Sequence, residues 1–391
     1  MLFYLPYINH DVEKLHELLV FFFEKVRDDN PNTFNRTILF PDWYSDTANR
    51  LLGLEDKLRI FIETFDRASQ LNIIQSFFAA NDIEYLFSNK MDIHLNQLEI
   101  PTALDFPTLQ IFLNDLFVPL YSGQLSSKDT TFTKKIHNQN FYNHYHTLRN
   151  FAIEDRGMFT ICPYCGIEGL KMVESEGRPD YDHLLPKGDS LFVFSAVNLR
   201  NLSPIGLICN GLKDTKHLLY SDDDRLLRTI AFYPYTNAPD PYLSCNFQLT
   251  CLEYPTLRSG GKWQLNIAPT NAGDTIFAEK IETWNRVFNI QNRYAEYIGD
   301  KGYVMIGSLI EKMSVTENEA NIRNKIQERV DTDLDLVYPL LAAFEGLLPK
   351  RLFYQWALAE INFLTDLVNA KKSPISTTPL LPGFDDLDFE Y

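Results

Sequence analysis

Apolar residues recur at three-to-four spacing over much of this chain, the period of a helix buried along one face. In DVEKLHELLVFFFEKVRDD, Leu15, Leu18, Leu19 and Phe22 form such a stripe with charged residues between them. The same pattern predicts helices over LRIFIETFDRASQLNIIQSFFAAN (58–81) and FPTLQIFLNDLFVPLY (106–121), the second ended by Pro119. Residues 121–135 are polar, rich in Ser and Thr and without apolar period, which predicts a linker or exposed loop. Helical period returns over 136–157, where His137, Phe141 and His144 share a face while His144 and His146 do not. RTIAFYPYT (228–236), CNFQLTCLEY (245–254) and KWQLNIAP (262–269), separated by Pro, Asp and Gly turns, predict the strands of a small β-unit. TIFAEKIETWNRVFNIQNRYAEYI (275–298) then puts Phe277, Ile281, Trp284 and Phe288 on one helical face, and helices near 305–328 and 333–370 follow. The last stretch, with three Pro and an acidic-aromatic finish, has no period and predicts a disordered tail over 371–391. The fold class expected is α+β and mainly helical. Its parts are a helical N-terminal domain (1–125), a central domain with the β-unit (136–270), a C-terminal helical region (271–370) and the tail.

Composition narrows the setting. At 391 residues the chain is long enough for two or three domains with cores of their own. No apolar run approaches the roughly 20 residues of a membrane helix, and MLFYLPYINHD lacks the basic region and cleavage site of a signal peptide. Five Cys, two of them in a Cys-x-x-Cys, suit a metal clip in a reducing cytoplasm better than a disulfide framework. SGGKW (259–263) is not a phosphate-binding loop, because Thr256 stands where that loop needs Gly; no NTPase motif is visible. The net charge of −16 opposes approach to nucleic acid, so any such binding needs a local basic face (Lys187, Arg200, Lys213 and Lys216 are candidates) or a partner.

Candidate chemistry gathers between residues 160 and 220: CPYCG (162–166), YDHLLPKG (181–188) and NLRNLSPIGLICNGLKDTKH (198–217). Phosphodiester hydrolysis needs a base for the attacking water and a hard cation to absorb charge on the phosphate and leaving oxygen. A two-stranded ribbon followed by a helix supplies both. Neighbouring side chains on a strand face opposite sides, so His183 can act as base while Asp182 holds the metal. Asn210 presents an amide oxygen as a second ligand, with Lys213 one turn further along. Asn201 is placed to pin the loop between the strands, as Asn side chains do.

These motifs, in this order, resemble the HNH (His-Me finger) endonucleases. The resemblance implies a central ββα-metal finger, His183 as general base, Asp182 and Asn210 as ligands of Mg²⁺ or Mn²⁺, and a structural Asn at 201, with Asn198 the competing choice. It also implies that Lys187 and Lys213 approach substrate phosphate. Family members with Cys-x-x-Cys carry a second pair to complete a zinc site. Here Cys162, Cys165 and Cys209 are present, but Gly206 stands where the fourth Cys belongs, so the zinc site is either lost or completed by another group, with His217 and Cys245 as candidates. The alternation of Cys245, Phe247, Leu249 and Cys251 speaks against Cys245. The Asn-Arg pairs of the 275–298 helix resemble those that follow the finger in bacterial defence HNH proteins. A short finger in large acidic helical flanks resembles the HNH subunits of antiphage systems of the Septu type, whose partner is an ATPase. The expected activity is therefore cleavage of DNA in the cytoplasm with a protein partner. A degenerate module that binds nucleic acid without cutting it, and a nuclease for RNA, are the other readings these residues allow.

Overall fold

In the computed structural model of this chain, capping residues cut the long helical stretches that the apolar pattern predicts. The structure describes residues 1–45, 51–88, 106–127, 129–156, 160–170, 179–189, 192–214, 216–221, 227–256, 259–311, 318–328, 330–331 and 345–372. Helix α1 (Lys14–Asp29) buries Leu15, Leu18, Leu19, Phe22, Phe23 and Val26. The expected 58–81 helix is two, α2 (Leu52–Thr64) and α3 (Arg67–Asn81). Asp66 makes the break: its carboxylate accepts from Ser69 N at 2.9 Å and caps α3. A short α4 (Ile83–Ser88) and α5 (Phe106–Pro119) follow. The polar stretch after Pro119 is not a free linker. A π-helical turn spans Leu120–Leu125 and a short helix Thr131–Lys135, the latter capped by Thr130. Left-handed residues His137 (φ 56°) and Asn138 (φ 60°) turn the chain into α6 (Phe141–Arg156).

The centre of the chain holds a ribbon and a helix. Strand β1 (Asp180–His183) pairs antiparallel with β2 (Leu202–Ile205), His183 opposite Leu202 and Asp182 opposite Ser203. Gly206 then leads into α7 (Leu207–Lys213), which packs on β1. Residues 228–236 are not a strand. Among them only Arg228 makes a bridge, with Tyr220, while Ile230, Ala231, Phe232, Tyr233 and Tyr235 are all buried. Side chains and isolated carbonyls meet the polar groups of this segment in place of a ladder. Ile230 N donates to the Glu279 carboxylate at 3.1 Å, and the Tyr233 and Tyr235 hydroxyls donate to Arg200 O and Leu202 O. The other two predicted strands form as β3 (Cys245–Glu253) and β4 (Lys262–Pro269), hydrogen-bonded to each other as a second small sheet.

The expected 275–298 helix breaks at Asn289 (φ 52°) into α8 (Thr275–Phe288) and α9 (Ile290–Glu311). Helices α10 (Glu319–Glu328), α11 (Leu347–Ala359) and α12 (Ile361–Lys372) complete the described chain. The tail expected from 371 lies, beyond Lys372, outside the described residues, as does 332–344 of the expected last helix. The class is mixed α+β, mostly helical, with two small antiparallel sheets.

Two compact units divide the chain, one drawn from 1–248, 265–294 and 336–348, the other from 249–264, 295–335 and 349–391. In the second, Trp263, Phe353, Trp356 and Phe363 form an aromatic cluster, and the Trp263 indole donates to Gly260 O at 2.7 Å. The first unit holds both the N-terminal helices and the ribbon, which were expected as separate domains. The joining contacts are apolar and polar together. Phe194, from the loop between β1 and β2, lies 5.3 Å from Phe117 of α5 and 6.2 Å from Phe77 of α3. Asn81, the last residue of α3, donates to Phe194 O at 3.2 Å, and its own side-chain oxygen accepts from Asn198 at 3.0 Å. Residues Met1–Leu5 are buried in the same unit, where Leu2 N donates to Pro163 O at 2.8 Å.

Replacing Asn81 by Ala takes the side-chain donor from Phe194 O and leaves the Asn198 amide only the backbone carbonyl of residue 81, at 3.3 Å. A loss of about 1–3 kcal/mol is expected, read from urea unfolding; a change below a few tenths would show that water replaces the lost partners.

Candidate active site and metal centre

Strand alternation sets the site. On β1, Tyr181 and His183 are buried, while Asp180 and Asp182 on the other face are half-exposed. His183 is 3% exposed, and its Nε2 donates to Ala196 O at 2.9 Å. A carbonyl can only accept, so the neutral ring carries its proton on Nε2 and its lone pair on Nδ1. Burial is the main reason its pKa falls to about 3, with Lys187 and Lys213 adding to the shift and the Ala196 bond opposing it. The ring of Tyr121 stands edge-on to His183 at 4.3 Å, its hydroxyl donates to Tyr181 O at 3.1 Å, and the Lys187 ammonium sits 5.0 Å from its centroid. Tyr121 lies in the π-helical turn, inside the stretch expected to be a linker.

Asn201 is wholly buried and uses both ends of its amide. Its oxygen accepts from Leu185 N at 2.8 Å, and its nitrogen donates to Leu185 O (3.1 Å), Ser195 O (3.2 Å) and Ser195 Oγ (3.0 Å). Leu185 follows His183 by two residues, and Ser195 precedes the carbonyl that holds its ring. Asn198 is engaged elsewhere, capping Arg200 N at 2.9 Å and bonding Asn81.

Helix α7 brings Asn210 and Lys213 to the Asp180–Asp182 face. Asn210 Nδ2 donates to Asp180 Oδ2 at 3.3 Å. Lys213 is buried, its side chain 3% exposed, and its ammonium pairs with Asp182 Oδ2 at 2.9 Å. Lys187 is half-buried, Arg200 is exposed with its guanidinium 4.0 Å from the Tyr7 ring, and Lys216 is exposed and reaches Val287 O. Of the histidines in 136–157, His137 and His146 are exposed, whereas His144 is buried with Nδ1 2.6 Å from the Tyr181 hydroxyl.

The cysteines gather with a residue the spacing did not single out. Ligand atoms of Cys162, Cys165, Glu168 and Cys209 all lie within 4.8 Å of one another, so the four could hold a metal ion. Gly166, at φ 64°, turns the chain between the two cysteines and Glu168, where a side chain would meet Leu2. Glu168 reaches the start of α7, accepting from Ile208 N (2.8 Å) and Cys209 N (2.9 Å). It fills the space beside Gly206, where an added Cβ would lie 2.4 Å from the Glu168 carboxyl carbon. Glu168 thus occupies the room a fourth cysteine at 206 would need. Arg293, from one of the two Asn-Arg pairs, donates to Cys209 Sγ at 3.1 Å and Glu168 Oε1 at 3.3 Å. Tyr294 donates to Cys165 O at 2.7 Å and Trp284 to Tyr164 O at 2.7 Å, so α8 and α9 clasp the cysteine turn. Against the desolvation that burial imposes, S–H donation from Cys162 and Cys209, with Arg293 nearby, holds the Cys165 thiol well below its usual range. Neither residue proposed from sequence as fourth ligand belongs to the group: His217 lies 3.6 Å from Asp189, and Cys245 is buried at the start of β3.

No family model, no curated protein and no solved structure matches this chain. Among the described residues, no helix is long and apolar enough to cross a membrane.

Buried histidines give the fold an acid limit. Burial holds His16 to about 4 and His144 and His183 to about 3, below the ordinary 6.5. Between those values the unfolded chain binds protons that the folded protein excludes, so stability is whole above pH 6.5 and falls as pH drops toward 4. Each group contributes about 1.4 kcal/mol per pH unit near pH 5, about 4 kcal/mol together. Urea unfolding across pH 5–7 should show this slope reduced by about one third in His16→Gln; an unchanged slope would mean His16 takes up its proton in the folded state.

Proposed function

We propose that this chain is a divalent-metal-dependent endonuclease of the HNH type, hydrolysing phosphodiester bonds in DNA. What carries the reading is one juxtaposition. A neutral imidazole with a committed Nε2 stands next on its strand to a carboxylate, and the following helix sets an Asn and a Lys against that carboxylate face. The chemistry of the donors fits a hard divalent cation: Asp180, Asp182 and Asn210 are oxygen-bearing side chains on facing elements, and an ammonium already answers the charge of Asp182. Asp182 and Asn210 would hold Mg²⁺ or Mn²⁺, which when bound supplies charge neutralisation at the phosphate and leaving oxygen.

The remaining work falls to this chain's residues. Asn201 and the Ala196 carbonyl aim His183, whose Nδ1 takes the proton of the attacking water. A pKa near 3 keeps the ring neutral but makes it a weak base. The negative charge of an arriving phosphate raises that pKa, so the base strengthens when substrate is in place. Lys187, held over Tyr121 beside His183, is the cation placed to meet substrate. Lys213 reaches phosphate only by leaving Asp182.

We assign zinc to the cysteine cluster, with Glu168 as fourth ligand: three thiolates and one carboxylate form a closed structural set of four. Such a set around a divalent ion carries two negative charges, and Arg293 offsets one of them.

Effector duty in antiphage defence, with an ATPase partner, rests on the resemblance alone, and the charge of −16 makes a partner or a local basic face necessary for DNA to approach. The second reading, a nucleic-acid adaptor that does not cut, is favoured by the closure of His183 and by the Lys213–Asp182 pair.

Plasmid nicking with Mg²⁺ separates the two. Wild type should cut and His183→Ala should lose about 10²- to 10⁴-fold while still folded, with a melting temperature lowered by the loss of the ring from Ala196 O; equal rates for both would remove His183 from catalysis, and no cutting by either would favour the adaptor. Metal analysis of purified protein should find about one zinc per chain, and Glu168→Ala should release it at lower chelator concentration and melt earlier, since a structural zinc contributes folding energy. Zinc retention unchanged by Glu168→Ala would reduce Glu168 to a helix cap.

A further inference from the structure

We infer that Asp180 is a positioning residue of the metal site: it holds the Asn210 amide so that the oxygen, rather than the nitrogen, is left for the cation. The inference rests on the nuclease reading of the same ribbon and helix. It names a residue that neither the Asp-His pair nor the Cys-Asn run contains.

Asp180 and Asp182 are two apart on β1 and share its half-exposed face. Asn210 and Lys213 are three apart on α7 and share the face turned to that strand. The two rows align pairwise, Asn210 Nδ2 against Asp180 Oδ2 at 3.3 Å and Lys213 Nζ against Asp182 Oδ2 at 2.9 Å. An ionised carboxylate has only acceptors, and the NH₂ of an amide has only donors. The Asn210–Asp180 bond therefore forms in one of the two orientations of the amide, the one that leaves Oδ1 on the side away from Asp180. An amide without this partner turns freely about its last torsion, and in its other orientation it presents N–H groups to a cation. The bond is charge-assisted, which makes the orientation costly to reverse. Partners of this kind, one step removed from the metal, typically control about 10- to 100-fold of its affinity.

Mn²⁺ binding, followed by calorimetry on full-length protein carrying His183→Ala so that nothing is cleaved, tests this. Adding Asp180→Ala should weaken Mn²⁺ about 10- to 100-fold with the melting temperature little changed. Adding Asp180→Asn instead should restore most of the affinity, because its side-chain oxygen still accepts from Asn210. A direct ligand at 180 is separated by the next arm, because it would be missed whatever stands at 210. In an Asn210→Asp background both side-chain atoms are oxygens and no orientation needs fixing, so Asp180→Ala should cost little there. The inference is overturned if Asp180→Ala leaves affinity within about twofold of its parent, if Asp180→Asn is as damaging as Asp180→Ala, or if the Asn210→Asp background keeps the full loss. Mn²⁺ failing to bind the His183→Ala parent would remove the metal site and this role together. Binding that follows the expected order in a protein whose wild type cuts no DNA would sink the nuclease and leave the positioning role standing.

Discussion

Everything at the ribbon depends on one buried amide. Asn201 has no exposed surface, so each of its polar atoms must find a partner inside the protein. It finds them at two points of the same loop, Leu185 just after His183 and Ser195 just before Ala196. Those points are the two ends of the connection that closes over the imidazole. Fixing them fixes the distance between the strand that carries His183 and the carbonyl that accepts from its Nε2–H. The tautomer of the ring, and with it the atom left to accept a proton, follows from a side chain that never touches the histidine. The anchoring continues outward: Ser195 and Asn198 lie around Phe194, whose ring packs with Phe77 and Phe117 and whose carbonyl is held by Asn81. The helical N-terminal region thus acts on the site by immobilising its loop.

A second constraint meets the ribbon at the start of α7. Helix N-termini leave backbone N–H groups without intrahelical partners, and the Glu168 carboxylate answers two of them. The same carboxylate stands among three thiols. With a cysteine at 206 there would be no room for it, and without Glu168 the first turn would lose its acceptor. Glycine at 206 and glutamate at 168 are one solution to two problems, and each is uninformative without the other. Arg293 completes it from α9, pairing with both the carboxylate and Cys209.

This explains which parts were legible in the sequence. Strand, strand and helix around residues 180–213 were readable because Asp-His, Asn-Leu-x-Pro and Cys-Asn-x-x-Lys place rare polar types at fixed spacing. Strands β3 and β4 were readable because turn residues bound them on both sides. Glu168 was not, since a single acid three residues after a cysteine carries no pattern; its only signal was the glycine at 206. Asp180 escaped although the alternation separating Asp182 from His183 puts it on the face of Asp182. The break at Asp66 was present as an Asp followed by Ser three residues on, but the apolar period across it was strong enough to mask the cap. Residues 228–236 read as a strand by composition. They are buried instead in irregular chain, where one carboxylate and isolated backbone groups of other segments meet their polar atoms one at a time.

The Lys213–Asp182 pair decides what the site must do before it can work. A buried ammonium is tolerable only beside an opposite charge, and here that charge is the proposed metal ligand itself. Lysine and divalent cation therefore compete for one carboxylate. On that proposal a bound cation would carry twice the charge of the ammonium and could take the Asn210 oxygen, but its binding would leave Lys213, whose side chain starts 3% exposed, in need of another anion. A substrate phosphate is such an anion. On the proposed function, metal and nucleic acid would be coupled ligands, each removing part of the cost of accommodating the other, while the protein without either remains internally neutralised. In a chain of net charge −16 the approach of DNA is the step that charge opposes. On the same proposal, diffuse repulsion would keep DNA away until a basic surface brings it near, and a phosphate on Lys213 would then tighten a metal that binds more weakly without it.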